Sequence, residues 1–258
     1  MNLELQRPLI FFDLETTGVS RESKIVQIAL IKIFPSGEII EKCRLINPNM
    51  PIPPDATNIH GIRNDDVKDK PIFQHISKSL FELFDNCDVG GFNSRNYDLP
   101  ILRNEFKNAN IEYNYLDYLD IDVFLFEKHV RKKFNIARSE NESLSLSSLY
   151  KLYTNKNLDG AHDALNDVKA TIAVFNSQLE KYYKLTPQTV YNEIPNKGDY
   201  KTDHNPRIIK NGETYYWNFG KYDGKPIKID VNYGKWFVSV DNFPLNERKI
   251  VSETLNLI

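Results

Sequence analysis

Asp13 and Glu15 stand two residues apart in the run FFDLETTG, at the end of an apolar stretch that reads as a β-strand. Alternate side chains of an extended strand project from the same face, so the two carboxylates converge on one point in space. Held that close, they repel one another unless a cation lies between them. A lone Asp-x-Glu is more often a solvated acidic turn than a metal site. Two distant segments change the balance: GFNSRNYDLP, which carries Asp98, and AHDALNDVKAT, which carries His162 and Asp167. Each of these residues has a plainer reading when taken alone. Asp98 is then a helix N-terminal acid facing the helix dipole, Asp167 a solvent-exposed helix residue and His162 a surface imidazole. Together the five fall at strand and helix ends that one sheet edge can gather, and carboxylates gathered with an imidazole suit cation-assisted hydrolysis.

The elements that must position them follow from periodicity. Leu9 to Leu14, Lys24 to Phe34 and Glu38 to Ile46 read as strands, with Pro35-Ser36-Gly37 as a hairpin turn between the last two. Such short turns imply antiparallel neighbours. Pro51 to Pro54 reads as a rigid loop, and a helix opens at Pro71 with Ile72, Ile76, Leu80, Leu83 and Phe84 on its apolar face. A short strand around Val89 to Phe92 precedes a helix beginning near Pro100, which places Asp98 at that helix's mouth. Tyr118 to Phe126 reads as a strand running into a helix, and Leu144 to Tyr153 as a short helix. Leu165, Val168, Ile172, Phe175 and Leu179 then step by three and four through a further helix. At ~100° per residue, positions 162 and 167 cannot share a face of one regular helix, so His162 is expected on the loop or first turn before it. Strands followed by alternating strands and helices specify an α/β fold, a mixed sheet covered by helices.

Composition narrows the setting. The chain has 258 residues, 41% of them apolar, enough to bury a core of ordinary size and a smaller appendage. The longest apolar stretch, Ile25 to Phe34, is broken by Gln27 and Lys32 and falls short of the ~18 residues of a membrane span. No signal-like series opens the chain, and Cys43 and Cys87 lack a CxxC partner, so no zinc cluster or disulfide framework is expected and a reducing, cytoplasmic setting is the default. The net charge of −2 argues against a lysine-built phosphate surface. Divalent ions at the acidic cluster would supply the missing positive charge where a phosphate must sit.

DLETTG at 13–18, NSRNYD at 93–98 and HDALND at 162–167 together resemble the three motifs of a DnaQ-like, DEDDh-type 3′→5′ exonuclease of the ribonuclease H-like superfamily, over about residues 8 to 182. That resemblance implies a ribonuclease H-like five-stranded mixed sheet flanked by helices. It implies that Asp13, Glu15, Asp98 and Asp167 hold two divalent cations, Mg²⁺ or Mn²⁺, and that His162 is the general base. An all-oxygen ligand set suits those hard ions, and an imidazole with a pKa of about 6.5 suits proton removal near neutrality. Thr16, Thr17 and Gly18 would line the pocket of the 3′-terminal nucleotide, although Gly18 would turn the chain in any case. His60 in NIHGI resembles a family segment that touches the terminal base, and Asn93 would support the site through hydrogen bonds. Tyr97 stands where the family often has Phe and adds a hydroxyl. Arg131, Lys132 and Lys133 could steer single strands toward the cleft or form a solvated helix end.

Domain boundaries are expected at 1–185 for the exonuclease domain, 186–212 for a polar linker and 213–258 for a small C-terminal module. The module resembles one behind some bacterial exonucleases, including relatives of exodeoxyribonuclease X. Its FGKYDGKPI is not a phosphate loop, because Gly220 and Gly224 are too close and Pro226 replaces the hydroxyl residue. Most of its aromatics are expected in a miniature core, with base stacking as the rival use. Leu255 to Ile258 faintly resembles a sliding-clamp-binding tail without the usual Gln. The expected partner is nucleic acid with a free 3′ end, single-stranded DNA ahead of RNA, with a DNA polymerase or sliding clamp as further partners and no membrane. RNA trimming, and a catalytically idle nucleic-acid-binding or polymerase-tethering role, are the alternatives.

Overall fold

A computed structural model of the chain describes residues 5–20, 22–113, 118–137, 142–160, 163–182, 190, 207–240 and 245–257. The chain divides into two compact units, 1–197 and 198–258.

The first unit is built on a five-stranded sheet: β1 (Leu9–Thr16), β2 (Ile25–Ile33), β3 (Ile39–Leu45), β4 (Asp88–Gly91) and β5 (Asp120–Asp122). The order is β3-β2-β1-β4-β5. β1, β2 and β3 are antiparallel neighbours, whereas β4 lies parallel to β1 and β5 parallel to β4. The mixed α/β sheet read from the sequence is therefore the one observed. β1 is apolar on both faces, as a central strand covered on both sides must be. Ile10, Phe12 and Leu14 pack on one face with α3 (Phe73–Phe84) and α4 (Asp98–Asn108). Leu9 and Phe11 pack on the other with α5 (Val123–Lys133), α6 (Leu146–Thr154) and α7 (Ala164–Tyr182). Gly90 and Gly91 let β4 approach this core closely. A Cβ on Gly90 would sit 2.7 Å from the Phe11 ring, and one on Gly91 2.6 Å from Cβ of Ser94.

Two expectations about the helices need correction. The rigid loop at Pro51 to Pro54 ends in a helix, because Pro54 opens α1 (Pro54–His60), closed by Gly61 at φ 75°. A second short helix, α2 (Asn64–Val67), follows. Neither is long enough to show an apolar period, and Val26, Ile52, Ala56, Ile62 and Val67 form a separate small core that only the tertiary fold assembles. The chain segment 131–133 is also split in character. Arg131 is buried, with Nε 2.6 Å from Glu127 and its two terminal nitrogens 3.1 and 2.5 Å from Glu142. It is thus an internal cation and does not face a strand of nucleic acid, while Lys132 and Lys133 are exposed.

The second unit holds a hairpin, β6 (Ile208–Asn211) and β7 (Thr214–Trp217), two 3₁₀ turns, α8 (Val231–Ser239) and α9 (Leu245–Thr254). β6 lies inside the stretch 186–212 read as linker, so the C-terminal end of that stretch is strand. Trp217 is fully buried among Tyr233, Phe237 and Phe219 at ring distances of 5.0, 5.2 and 5.9 Å. Trp236 is exposed. Among the described residues no helix is long and apolar enough to cross a membrane.

Candidate active site

β1 and α7 bring three of the four acids together by matching lengths. The rings of Phe11 and Phe175 meet at 5.7 Å and set the two elements side by side. From Phe11 to Glu15 the strand advances ~13 Å, with Asp13 half-way and on the same face. From Phe175 back to Asp167 the helix covers ~12 Å in the same direction. One oxygen from each of Asp13, Glu15 and Asp167 consequently lies within 4.8 Å of the others. Asp98 arrives from the opposite face of the sheet. β4 pairs with β1 only as far as Phe11, so β1 runs on beyond its parallel neighbour. There the Leu14 N–H donates to Oδ1 of the buried Asp98 at 3.1 Å. Asp98 lies outside the three-membered group. α7 begins at Ala164, and His162 lies outside the described residues.

The electrostatics of this cluster favour a cation. Burial, and then the neighbouring Asp167, push the Asp13 carboxyl up to about 7. Burial, followed by Asp13, Asp167 and Asp163, pushes Glu15 up to about 8. Asp98 is raised well above the usual carboxylate range by burial and by Asp13, against the opposing N–H of Leu14. Such a set is strained while it carries its charges alone, and a divalent ion among the oxygens would oppose both the burial and the mutual repulsion by favouring the charged carboxylates. The donors are all carboxylate oxygens, the ligand type that hard divalent cations prefer.

The loop after the carboxylates is held on three sides. The hydroxyls of Thr16 and Tyr97 and the carbonyl of Gly18 form a triangle of contacts that share two protons; Thr16 Oγ1 is 2.6 Å and the Tyr97 hydroxyl 2.7 Å from the Gly18 oxygen. Thr17 bridges to Lys24, its N–H donating to the Lys24 carbonyl and its hydroxyl accepting the Lys24 N–H, each at 2.9 Å. His60 accepts the Ile62 N–H at Nδ1, which leaves the neutral ring's proton on Nε2, 3.2 Å from the Thr16 carbonyl. His60, Gln27, Ile62, Asp65, Lys70 and Asp163 border a cavity of about 620 Å³. Asn93 turns inward on its own loop: it adopts φ 57°, and its Oδ1 accepts from Asn96 at 2.8 Å.

Sequence reasoning passed over Asp120, Asp122 and Arg95, all buried beside this loop. The signal for Asp122 was present, since an Asp directly before an apolar helical run is an N-cap pattern. Asp122 indeed caps α5, accepting the Phe124 and Leu125 N–H groups.

The exonuclease family model RNase T matches residues 10–175, which contain all four acids and both faces of the sheet. The chain belongs to the RNase T exonuclease family. The DnaQ-like resemblance carried by its three motifs holds at the family level. The module resemblance lies beyond the matched residues. The chain is 26% identical to a DNA polymerase III of PolC type from Caldanaerobacter subterraneus, over 72% of its own length and 12% of that protein's. It is 24% identical to the 3′-5′ exonuclease DinG of Bacillus subtilis, over 95% of its own length and 27% of that protein's. The chain thus spans about a quarter or less of these relatives. Its fold matches that of E. coli exonuclease I solved in complex with a dA16 oligonucleotide, at a TM-score of 0.60 and 21% identity, over 72% of this chain and 42% of that one.

Proposed function

We propose that this exonuclease chain removes nucleoside monophosphates from the 3′ ends of nucleic acid, DNA ahead of RNA, with two divalent cations at Asp13, Glu15, Asp98 and Asp167. The observation that carries the reading is the group of three carboxylates, drawn from β1 and α7, within 4.8 Å of one another. Such a group is repulsive by itself, and a divalent cation among its oxygens would relieve that repulsion. Mg²⁺ or Mn²⁺, when bound, would lower the pKa of a water molecule and offset charge developing on the phosphate and on the departing 3′ oxygen.

The chain's own residues would do the rest. The four acids hold the ions and align the scissile phosphate at the edge of β1. His162 takes the water proton, a role suited to an imidazole near neutrality. Thr16, Thr17, Gly18 and His60 shape the place of the terminal nucleotide, with Asn93 supporting the loop that carries Asp98. The 3′→5′ polarity draws support from the relative named as a 3′-5′ exonuclease, and the choice of single-stranded DNA from the exonuclease I complex with dA16. Residues 1–185 form the catalytic domain in this reading, and the module at 213–258 adjusts substrate choice or placement. The chain would work in the cytoplasm, in proofreading, repair or turnover, alongside a polymerase or sliding clamp.

The test offers single- and double-stranded DNA and RNA, labelled at either end, with Mg²⁺, Mn²⁺ or EDTA. Stepwise loss from 3′ ends with either ion, abolished by EDTA and by Asp13→Ala, is the expected result. Faster trimming of RNA would transfer the substrate, and full activity of His162→Ala would remove the assigned base. No hydrolysis with either ion would overturn the reading in favour of a binding or tethering role.

A further inference from the structure

We propose that Asp122 is a positioning residue for the metal site, fixing the loop that delivers Asp98; this rests on the metal-dependent reading above. Asp122 is the last residue of β5 and is fully buried. Its Oδ1 accepts the N–H groups of Phe124 and Leu125, each at 3.1 Å, at the start of α5. The same oxygen accepts the Asn93 N–H at 3.2 Å, and Oδ2 accepts the Arg95 N–H at 3.2 Å. One side chain therefore ties the end of β5, the start of α5 and the loop between β4 and α4.

A helix cap alone does not need this. One hydroxyl oxygen is enough to cap a helix, as Ser145 caps α6 by accepting the Ser148 N–H through its side chain. Only a carboxylate, with two oxygens and about four lone-pair positions, can serve four donors. The surplus acceptors go to the loop. Asp120, two residues earlier on the same strand, adds to the hold: Arg95 Nε lies 2.7 Å from its Oδ2 and Nη2 2.7 Å from its carbonyl. Both aspartates of β5 thus grip Asn93 to Arg95.

That grip reaches the metal site within one turn of chain. Only Asn96 and Tyr97 separate Arg95 from Asp98, and the Leu99 N–H returns to the Ser94 carbonyl at 2.9 Å. The loop sits so tightly that Gly91 beneath it has no room for a Cβ, and Asn93 takes the left-handed conformation at φ 57°. With Asn93 and Arg95 fixed, Asp98 has one place to stand, and there its Oδ1 meets the Leu14 N–H between Asp13 and Glu15 in the chain. Without the anchors, the loop can move and take the Asp98 carboxylate off the metal position.

The experiment compares Asp122→Ser with wild type in the full chain. Serine keeps an oxygen for the α5 cap and gives up the bonds to the loop. Mn²⁺ affinity is read by calorimetric titration without substrate, and stability by thermal unfolding. Leu80→Ala, a core change in α3 remote from the site, controls for lost stability. A 10–100-fold loss of Mn²⁺ affinity in Asp122→Ser, against less than about threefold in Leu80→Ala, is the expected result. Wild-type affinity in Asp122→Ser, or an equal loss in the control, would overturn the proposal. If Asp122→Ser does not fold, Arg95→Lys decides, since it keeps the charge and loses the two-pronged grip on Asp120; its unchanged Mn²⁺ affinity would count against the idea and a several-fold loss would support it. A wild type that binds no Mn²⁺ would bring down the metal reading itself, and this one with it.

Discussion

Asp13→Asn should make the metal-free protein more stable and the metal-loaded protein less so. Carboxylates 4.8 Å apart, the outer limit within the cluster, repel by ~3.5 kcal/mol at an effective dielectric constant of about 20. The rise of the Asp13 carboxyl from 3.8 to about 7, caused first by burial and then by Asp167, corresponds to ~4 kcal/mol in all at 1.36 kcal/mol per unit. Asp13 keeps some contact with water, so about half of this, ~2 kcal/mol, should be released when the charge is removed. For a chain of this size that is a rise in Tm of ~4–8 °C. The sign with pH follows from linkage. The folded carboxyl holds its proton more tightly than the unfolded one, so its contribution is complete below about pH 3.8 and is lost as the pH rises through about 7. The gain of Asp13→Asn should therefore be full at about pH 8.5 and absent at about pH 4. Thermal unfolding in EDTA at both pH values, repeated with saturating Mn²⁺, checks this. The ion should stabilise the wild type by ~2.7 kcal/mol at a hundredfold excess over its dissociation constant, and the variant much less, so that the order of stability inverts. A variant no more stable than wild type in EDTA at the higher pH, or equally stabilised at both, would refute the electrostatic account.

Other substitutions probe separate links. Tyr97→Phe removes one corner of the triangle on Gly18 and keeps the ring; KM for an oligonucleotide should rise ~3–10-fold with kcat little changed, and a fall in kcat at constant KM would point instead to the chemical step. Gly91→Ala pushes a methyl group against Ser94, 2.6 Å away, and should cost ~1–3 kcal/mol in urea unfolding together with weaker Mn²⁺ binding. Arg131→Ala leaves the buried Glu127 without its cation and should cost ~3–5 kcal/mol, whereas Lys132→Ala and Lys133→Ala should each stay within ~0.5 kcal/mol, as denaturant titration will show. Trp217→Ala removes the centre of the second unit's core and should lower its stability by ~3–5 kcal/mol, followed by near-ultraviolet circular dichroism.

The sequence by itself determined the elements whose signal is local. Period-two alternation put Asp13 and Glu15 on one face of β1, and steps of three and four placed Asp167 at the start of α7, because a strand and a long helix each write their geometry into neighbouring residues. The three motifs then named the family. Only the tertiary structure decided what depends on partners far along the chain. α1 and α2 are too short to carry a period and exist because Val26 and Ile52 give them a core to rest on. Arg131 looked like part of a basic surface until Glu142 and the Glu127 network enclosed it. Asp122 read as one residue of a strand, yet its carboxylate satisfies N–H groups that lie as far back as Asn93. Periodicity reports which face of an element is buried; it is silent on which distant backbone donors a buried charge will meet, and that pairing fixes where Asp98 can stand.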